Sequence, residues 1–141
     1  MSTIKTASLA DIPKMHMVRL AVRENPLTDP ARITESSYVP FVEAGSAWVA
    51  VDHDLQILGF SALDPVTGSV WALFVRPDQE GVGVGRALHD IMLDWAREHG
   101  LRALWLFTAT GTRAEQFYLT AGWRKKATTG VETRFEIILG G

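Results

Sequence analysis

The stretch Val75-Arg76-Pro77-Asp78-Gln79-Glu80-Gly81-Val82-Gly83-Val84-Gly85-Arg86 decides how this chain is read. Three glycines alternate between an apolar run that ends at Val75 and a helical pattern that opens at Arg86. Glycine lacks a Cβ, so the backbone bends there and lets another group approach closely. The first amides of a helix have no partner within it and point outward. A glycine-rich turn feeding a helix N-terminus is therefore a cradle for an anion, reinforced by the helix dipole. Two common forms of that cradle do not fit. The Walker loop needs Gly-Lys beginning five positions after Gly81, where Arg86 stands. The dinucleotide fingerprint G-x-G-x-x-G needs a third glycine at Arg86 or Leu88. Two readings remain: pyrophosphate binding by a different loop, or a tight helix start with no ligand. Each glycine costs a helix about 1 kcal/mol, which weighs toward the first.

Working outward, Val70 to Val75 is a nearly continuous apolar run of β formers and predicts a central strand buried on both faces. After the loop, Leu88, Ile91, Met92, Trp95 and Ala96 form one helical stripe, and Gly100 sits where a C-terminal cap belongs. Leu104 to Phe107 is a further apolar strand. Strand, crossover helix and strand make a right-handed unit with a central parallel pair. Thr112 with Glu115 caps a helix over Arg113 to Ala121, stopped by Gly122. Trp123 to Lys126 and Phe135 to Leu139 read as closing strands around a Thr-Thr-Gly turn.

Upstream, Ile4 to Ala7 predicts a first strand. Ser8 and Asp11 then cap a helix that runs to about Arg23 and ends at Asn25-Pro26. Its buried face carries Ile12, Met15, Val18 or Arg19, and Val22. Thr34 opens a second helical segment that Pro40 limits and Gly45 closes. Ala47 to Val51 and Ile57 to Phe60 are two strands across a polar turn. The sum is an α/β chain read as one domain over residues 1–141, with a mixed, mostly antiparallel sheet.

Composition narrows the function. The 141 residues hold no cysteine, which excludes a disulfide framework, a cysteine nucleophile and a thiolate metal site. A net charge of -2 provides no basic field for nucleic acid or an anionic membrane. No apolar run approaches the roughly 20 residues of a membrane span, and the opening residues lead us to expect no secretory signal. Cytoplasm is the expected compartment. His16, His53, His89 and His99 form no His-x-x-x-His pair, so no metal is expected.

The order of elements and the loop together resemble the GNAT superfamily of N-acetyltransferases. Glu80-Gly81-Val82-Gly83-Val84-Gly85 occupies the slot of that family's Gln/Arg-x-x-Gly-x-Gly/Ala signature, with Glu80 in the leading place and Gln79 one position early. Phe117-Tyr118-Leu119-Thr120-Ala121-Gly122-Trp123 resembles its Phe-Tyr-x-x-x-Gly-Phe segment. Gly111 stands where many members carry asparagine, with Thr110 and Thr112 as neighbouring substitutes. Val22-Arg23-Glu24-Asn25, Ala72 to Pro77 and Glu132-x-Arg134-Phe135-Glu136 resemble a bacterial subgroup of small members without an assigned substrate.

The resemblance implies a GNAT fold whose sheet splays between the fourth and fifth strands, with helices on both faces. It implies acetyl-CoA as donor, with pyrophosphate on Gly81, Val82, Gly83, Val84, Gly85 and Arg86, and pantetheine beside Leu73, Phe74 and Val75. Gly111 and Phe117 complete the expected donor site. A backbone amide near Phe74 is the implied oxyanion donor. Tyr118 is the implied general acid, because a phenol of pKa about 10 stays protonated at neutral pH. Arg23, Glu24, Asn25 and Arg134 are candidate acceptor contacts, each equally readable as an ordinary structural position, and Trp71, beside the donor strand, is the tryptophan placed to touch a substrate. Many members of the family carry a Glu base on the fourth strand, but no acid falls in Ser69 to Val75, so the resemblance assigns no base; Glu24, Asp64, Glu132 and a water chain are candidates only. The expected reaction is direct acetyl transfer to a primary amine of a small molecule. A protein lysine or N-terminal acetyltransferase, a non-catalytic acetyl-CoA-binding module and a homodimeric assembly stay open.

Overall fold

The computed structural model describes residues 2–22 and 33–140. Arg23, Glu24 and Asn25, three of the candidate acceptor contacts, lie outside the described residues, as does the Asn25-Pro26 helix stop. The elements run β1 (Thr3–Thr6), α1 (Ile12–Ala21), α2 (Val39–Glu43), β2 (Ala47–Val51), β3 (Ile57–Leu63), β4 (Val70–Val75), α3 (Val84–Glu98), β5 (Ala103–Ala109), α4 (Arg113–Thr120), β6 (Arg124–Thr128) and β7 (Glu132–Ile138). Short 3-10 turns precede α1 and α2 and follow β4.

The strands form two antiparallel sheets, β1-β2-β3-β4 and β5-β7-β6. The parallel pair expected between β4 and β5 is cut to one bridge, Ser69 with Trp105. Gly68 makes that joint. Its carbonyl accepts from the Trp105 amide at 3.0 Å, and a Cβ there would meet the Ala103 carbonyl oxygen at 2.8 Å. The indole Nε1–H of Trp105 donates to the Thr67 carbonyl at 3.1 Å. Beyond this joint β4 and β5 separate, as a splayed sheet requires.

Alternation along the strands divides the interior in two. Trp48, Ala50, Leu58 and Leu63 face α3 and α4, where Leu88, Met92, Ala96, Leu104, Leu106, Tyr118 and Phe135 complete one core. Ala47, Val49, Val51, Phe60 and Ala72 face the other way, toward Ile12, Met15, Val18 and Tyr38. Helices thus cover both faces, and each fully buried Leu or Phe contributes about 1.5–3 kcal/mol.

Three expectations shift. β4 lies at the edge of its sheet, and only Ala72 among its residues is buried. Its apolar sequence serves a groove instead of a two-sided core. α3 opens at Val84, two residues before Arg86, because Gly83 caps it at φ +91°. Ile91 is exposed, and the buried stripe of α3 carries Leu93 and His89 instead. The Ser8–Asp11 capping box forms as expected.

Candidate active site

The gap between β4 and β5 is a cavity of about 610 Å³. Residues 70–75 of β4 form one wall and 106–108 of β5 the other. The glycine loop with the start of α3, and α4 from Arg113 to Thr120, complete it. Most of this lining is apolar or glycine, and among the described residues its charged groups are Glu80, Arg86 and Arg113.

The loop turns on two glycines before α3 begins. Gly81 at φ +79° and Gly83 at φ +91° need glycine for conformation, since a Cβ on either would meet nothing within 4 Å. Gly85 differs: its φ is not positive, and a Cβ would make ordinary contacts, 3.4 Å to Val75 Cγ2 and 3.8 Å to Phe117 Cε1. Such a Cβ would occupy space along the cavity lining. The first backbone bond of α3 runs from the Ala87 amide to the Gly83 carbonyl at 3.0 Å. The amides of Val84, Gly85 and Arg86 therefore have no acceptor inside the helix. The residues fit a phosphate-bearing cosubstrate: Gly81, Gly83, Gly85 and Arg86 all line the cavity. Val82 is exposed outside it, and the Val84 side chain is buried in the core, leaving Val84 only its amide to offer.

Two cations flank the cradle, each beside a carboxylate. Arg86 Nε donates to Asp90 at 3.1 Å, one turn along α3. Arg113 Nη1 lies 2.8 Å from Glu80 Oε2, so this ion pair links the glycine loop to the start of α4. Glu80 thus has a local partner where the resemblance expects Gln or Arg.

Tyr118 sits on the cavity side of α4 and is 6% exposed. Phe117, Trp123 and Phe135 surround its ring. Burial pushes its phenol well above the usual tyrosine range, with no neighbouring charge to offset it. The hydroxyl therefore stays protonated and can donate across the neutral range. Behind it, Trp123 Nε1–H donates to His89 Nε2 at 2.9 Å, and His89 Nδ1 lies 2.8 Å from Asp90 Oδ1. The Trp123 bond leaves Nδ1 to carry the imidazole proton, so His89 donates to Asp90. Burial lowers the imidazole pKa, opposed in part by Asp90. This chain joins Arg86 to the turn after α4. Its long spacing hides it from sequence patterns.

Leu73, Phe74, Val75, Phe117 and Trp71 all line the cavity, as their assigned roles need. Gly111 does not. It turns the chain at φ +81° and donates to Glu115 Oε1 at 3.4 Å. Thr112 caps α4, accepting from the Glu115 amide at 3.3 Å. Thr110 instead pairs with Thr133 at 3.1 Å. Arg134 lies outside the lining, with its guanidinium carbon 4.5 Å from the Trp105 ring centre and Nη2 3.4 Å from Glu136. The lining also takes in Val22 and Thr120, which the quoted motifs contain without a role, and Thr108 and Gln116, which had no sequence signal beyond element position. Among the described residues, no group of three or more His, Asp or Glu side chains could hold a metal, and no helix is long and apolar enough to cross a membrane.

This geometry matches known proteins. The chain is 36% identical over 84 residues to a mycothiol acetyltransferase of Cellulomonas flavigena, covering 59% of this chain but 24% of that protein. The chain thus spans about a quarter of that relative's length. An N-acetyltransferase structure from Kribbella flavida superposes with a TM-score of 0.79 at 25% identity, over 97% of both chains. A PaiA N-acetyltransferase from Thermoplasma acidophilum, solved in complex with coenzyme A, gives 0.81 at 16% identity over 98% of this chain and 99% of that one. The model of the acetyltransferase (GNAT) family matches residues 14–123, from within α1 to the turn after α4, and the chain belongs to that family.

Proposed function

We propose that this chain transfers an acetyl group from acetyl-CoA directly to a primary amine of a small molecule. The observation that carries the reading is Tyr118, a protonated phenol buried in a cavity between a glycine cradle and the open edge of β4. The likeness to a mycothiol acetyltransferase supports a small-molecule acceptor.

Bound acetyl-CoA supplies an acyl group already activated as a thioester. The amides of Gly81 to Arg86 hold its phosphates, with Arg86 and Arg113 adding positive charge. The side of β4 turned from β3 offers backbone groups to the pantetheine arm, as a sheet edge does to an added strand. Leu73, Phe74, Val75 and Phe117 exclude water from the reacting atoms. As the amine nitrogen bonds to the thioester carbonyl carbon and the C–S bond breaks, Tyr118 donates its proton to the departing thiolate and regains one from the proton the amine nitrogen loses. With no cysteine in the chain, no acetyl-cysteine intermediate forms, and transfer takes place in a ternary complex. The test is thiol release from acetyl-CoA across a panel of amines. Amine-dependent release is the expected result. Acetyl-CoA binding without turnover on any amine would leave a binding module instead.

A further inference from the structure

One cation is buried beside this cavity with no counter-charge among the described residues. Arg19 lies on α1, one turn before Val22, which lines the cavity. It is only 9% exposed, and neither Nε nor Nη1 has a hydrogen-bond partner. Its guanidinium carbon sits 4.8 Å from the Trp71 ring centre and 4.7 Å from that of Phe74. Both rings belong to residues of the cavity wall. The polar group beside it is the Tyr38 hydroxyl, itself 2.9 Å from His16 Nδ1. Phe41 stacks on Trp71 at 4.6 Å and holds that indole in place.

A guanidinium stays charged at any physiological pH, and buried charges are ordinarily paired. The two ring faces offset part of the burial cost. The N–H groups on Nε and Nη1 remain unspent. Arg19 itself stands behind the lining, screened from the cavity by the Trp71 and Phe74 rings. Trp71 and Phe74 pack with the α1 side of the sheet, whereas Leu73 and Val75 pack with the α3 side. The glycine cradle belongs to the α3 side, so the phosphates of the donor have their site there. An anion at Arg19 therefore comes from the second substrate.

We propose that Arg19 recognises a carboxylate on the acceptor, which is then an amino acid or another amine bearing a carboxylate. This rests on the reading of the cavity as an acetyl-transfer site. The test compares amino acids with their matching amides as acceptors, for the unaltered chain, Arg19→Met and Arg19→Lys, with melting temperatures recorded alongside. The unaltered chain should show a KM for the acids roughly tenfold to a hundredfold below that for the amides. Arg19→Met should erase that difference, and Arg19→Lys should restore part of it. The KM for acetyl-CoA and for the amides should stay unchanged in both variants. Equal or reversed preference in the unaltered chain overturns the inference. A preference that survives Arg19→Met also overturns it, and with a loss of stability marks Arg19 as a purely structural cation. No turnover on any amine, with acetyl-CoA still raising the melting temperature, sinks the carboxylate site but not the donor site. Failure to bind acetyl-CoA sinks the reading of the cavity itself.

Discussion

Tyr118 and His89 are both buried ionisable groups, and burial acts on them in opposite directions. For Tyr118 it disfavours the phenolate, which keeps the proton available for donation. Tyr118→Phe keeps the ring packed among Phe117, Trp123 and Phe135 and removes only the hydroxyl. Turnover should fall by about 10²- to 10⁴-fold, with acetyl-CoA affinity unchanged, as measured by steady-state rates and calorimetry. An unchanged turnover would remove Tyr118 from the mechanism. For His89, burial disfavours the imidazolium. Its pKa in the folded chain lies below the unfolded value near 6.5, so the unfolded chain binds more protons between the two. The associated stability is complete above about pH 6.5 and is lost as the pH falls through the folded value. His89→Gln should flatten this acid limb in urea unfolding followed from pH 7 to 4. An equally steep limb would assign the acid sensitivity to other groups.

At the level of the elements, two glycines separate conformation from space. Gly83 needs its positive φ but has open space around it. Gly83→Ala should cost about 1–2 kcal/mol through backbone strain alone and should loosen the start of α3. Gly59 has an ordinary φ but no space: a Cβ would lie 2.7 Å from the Phe74 carbonyl oxygen and 3.1 Å from Leu88 Cδ1. Gly59→Ala should cost about 1–3 kcal/mol by overpacking, and it should displace the β4 wall. Urea unfolding of both variants checks the two values, and a neutral Gly59→Ala would mean that β4 gives way freely. The same contrast explains what the sequence made legible. Gly81 and Gly83 announce their turn because positive φ is a local demand. The Ser8–Asp11 and Thr112–Glu115 caps are local as well, and both form. Tertiary demands leave weaker marks. His89 interrupts its apolar stripe because its hydrogen-bond partner, Trp123, lies 34 residues away. Val70 to Val75 reads as a two-sided core strand because a ligand groove and a core ask for the same apolar side chains. Arg19 passes as one more residue of a helix face, since nothing in α1 tells that its guanidinium meets Trp71 and Phe74.

Across the whole molecule, the consequence that matters most is the division of the sheet. A strand-helix-strand order predicts a parallel pair, and the chain forms only its first bridge, at Ser69 and Trp105. Past that bridge β4 has β3 on one side and the cavity on the other. Half of its backbone groups thus lack a ladder partner, while β2 is paired on both sides by β1 and β3. Amides without a ladder partner exchange with solvent readily, and amides inside a paired, buried strand do not. Hydrogen exchange of the free chain should therefore find β2 strongly protected and the cavity-side amides of β4 weakly protected. Acetyl-CoA at a hundred times its Kd stabilises the folded chain by about 2.7 kcal/mol overall. That value is the ceiling for any amide: the slowing should approach it in β4, the glycine loop and the first turn of α3, and fall short of it at the fraying amides of β1. Uniform slowing across all strands would mean that the donor binds away from the gap. Slowing confined to the glycine loop would mean that the phosphates dock there but the pantetheine arm does not follow β4.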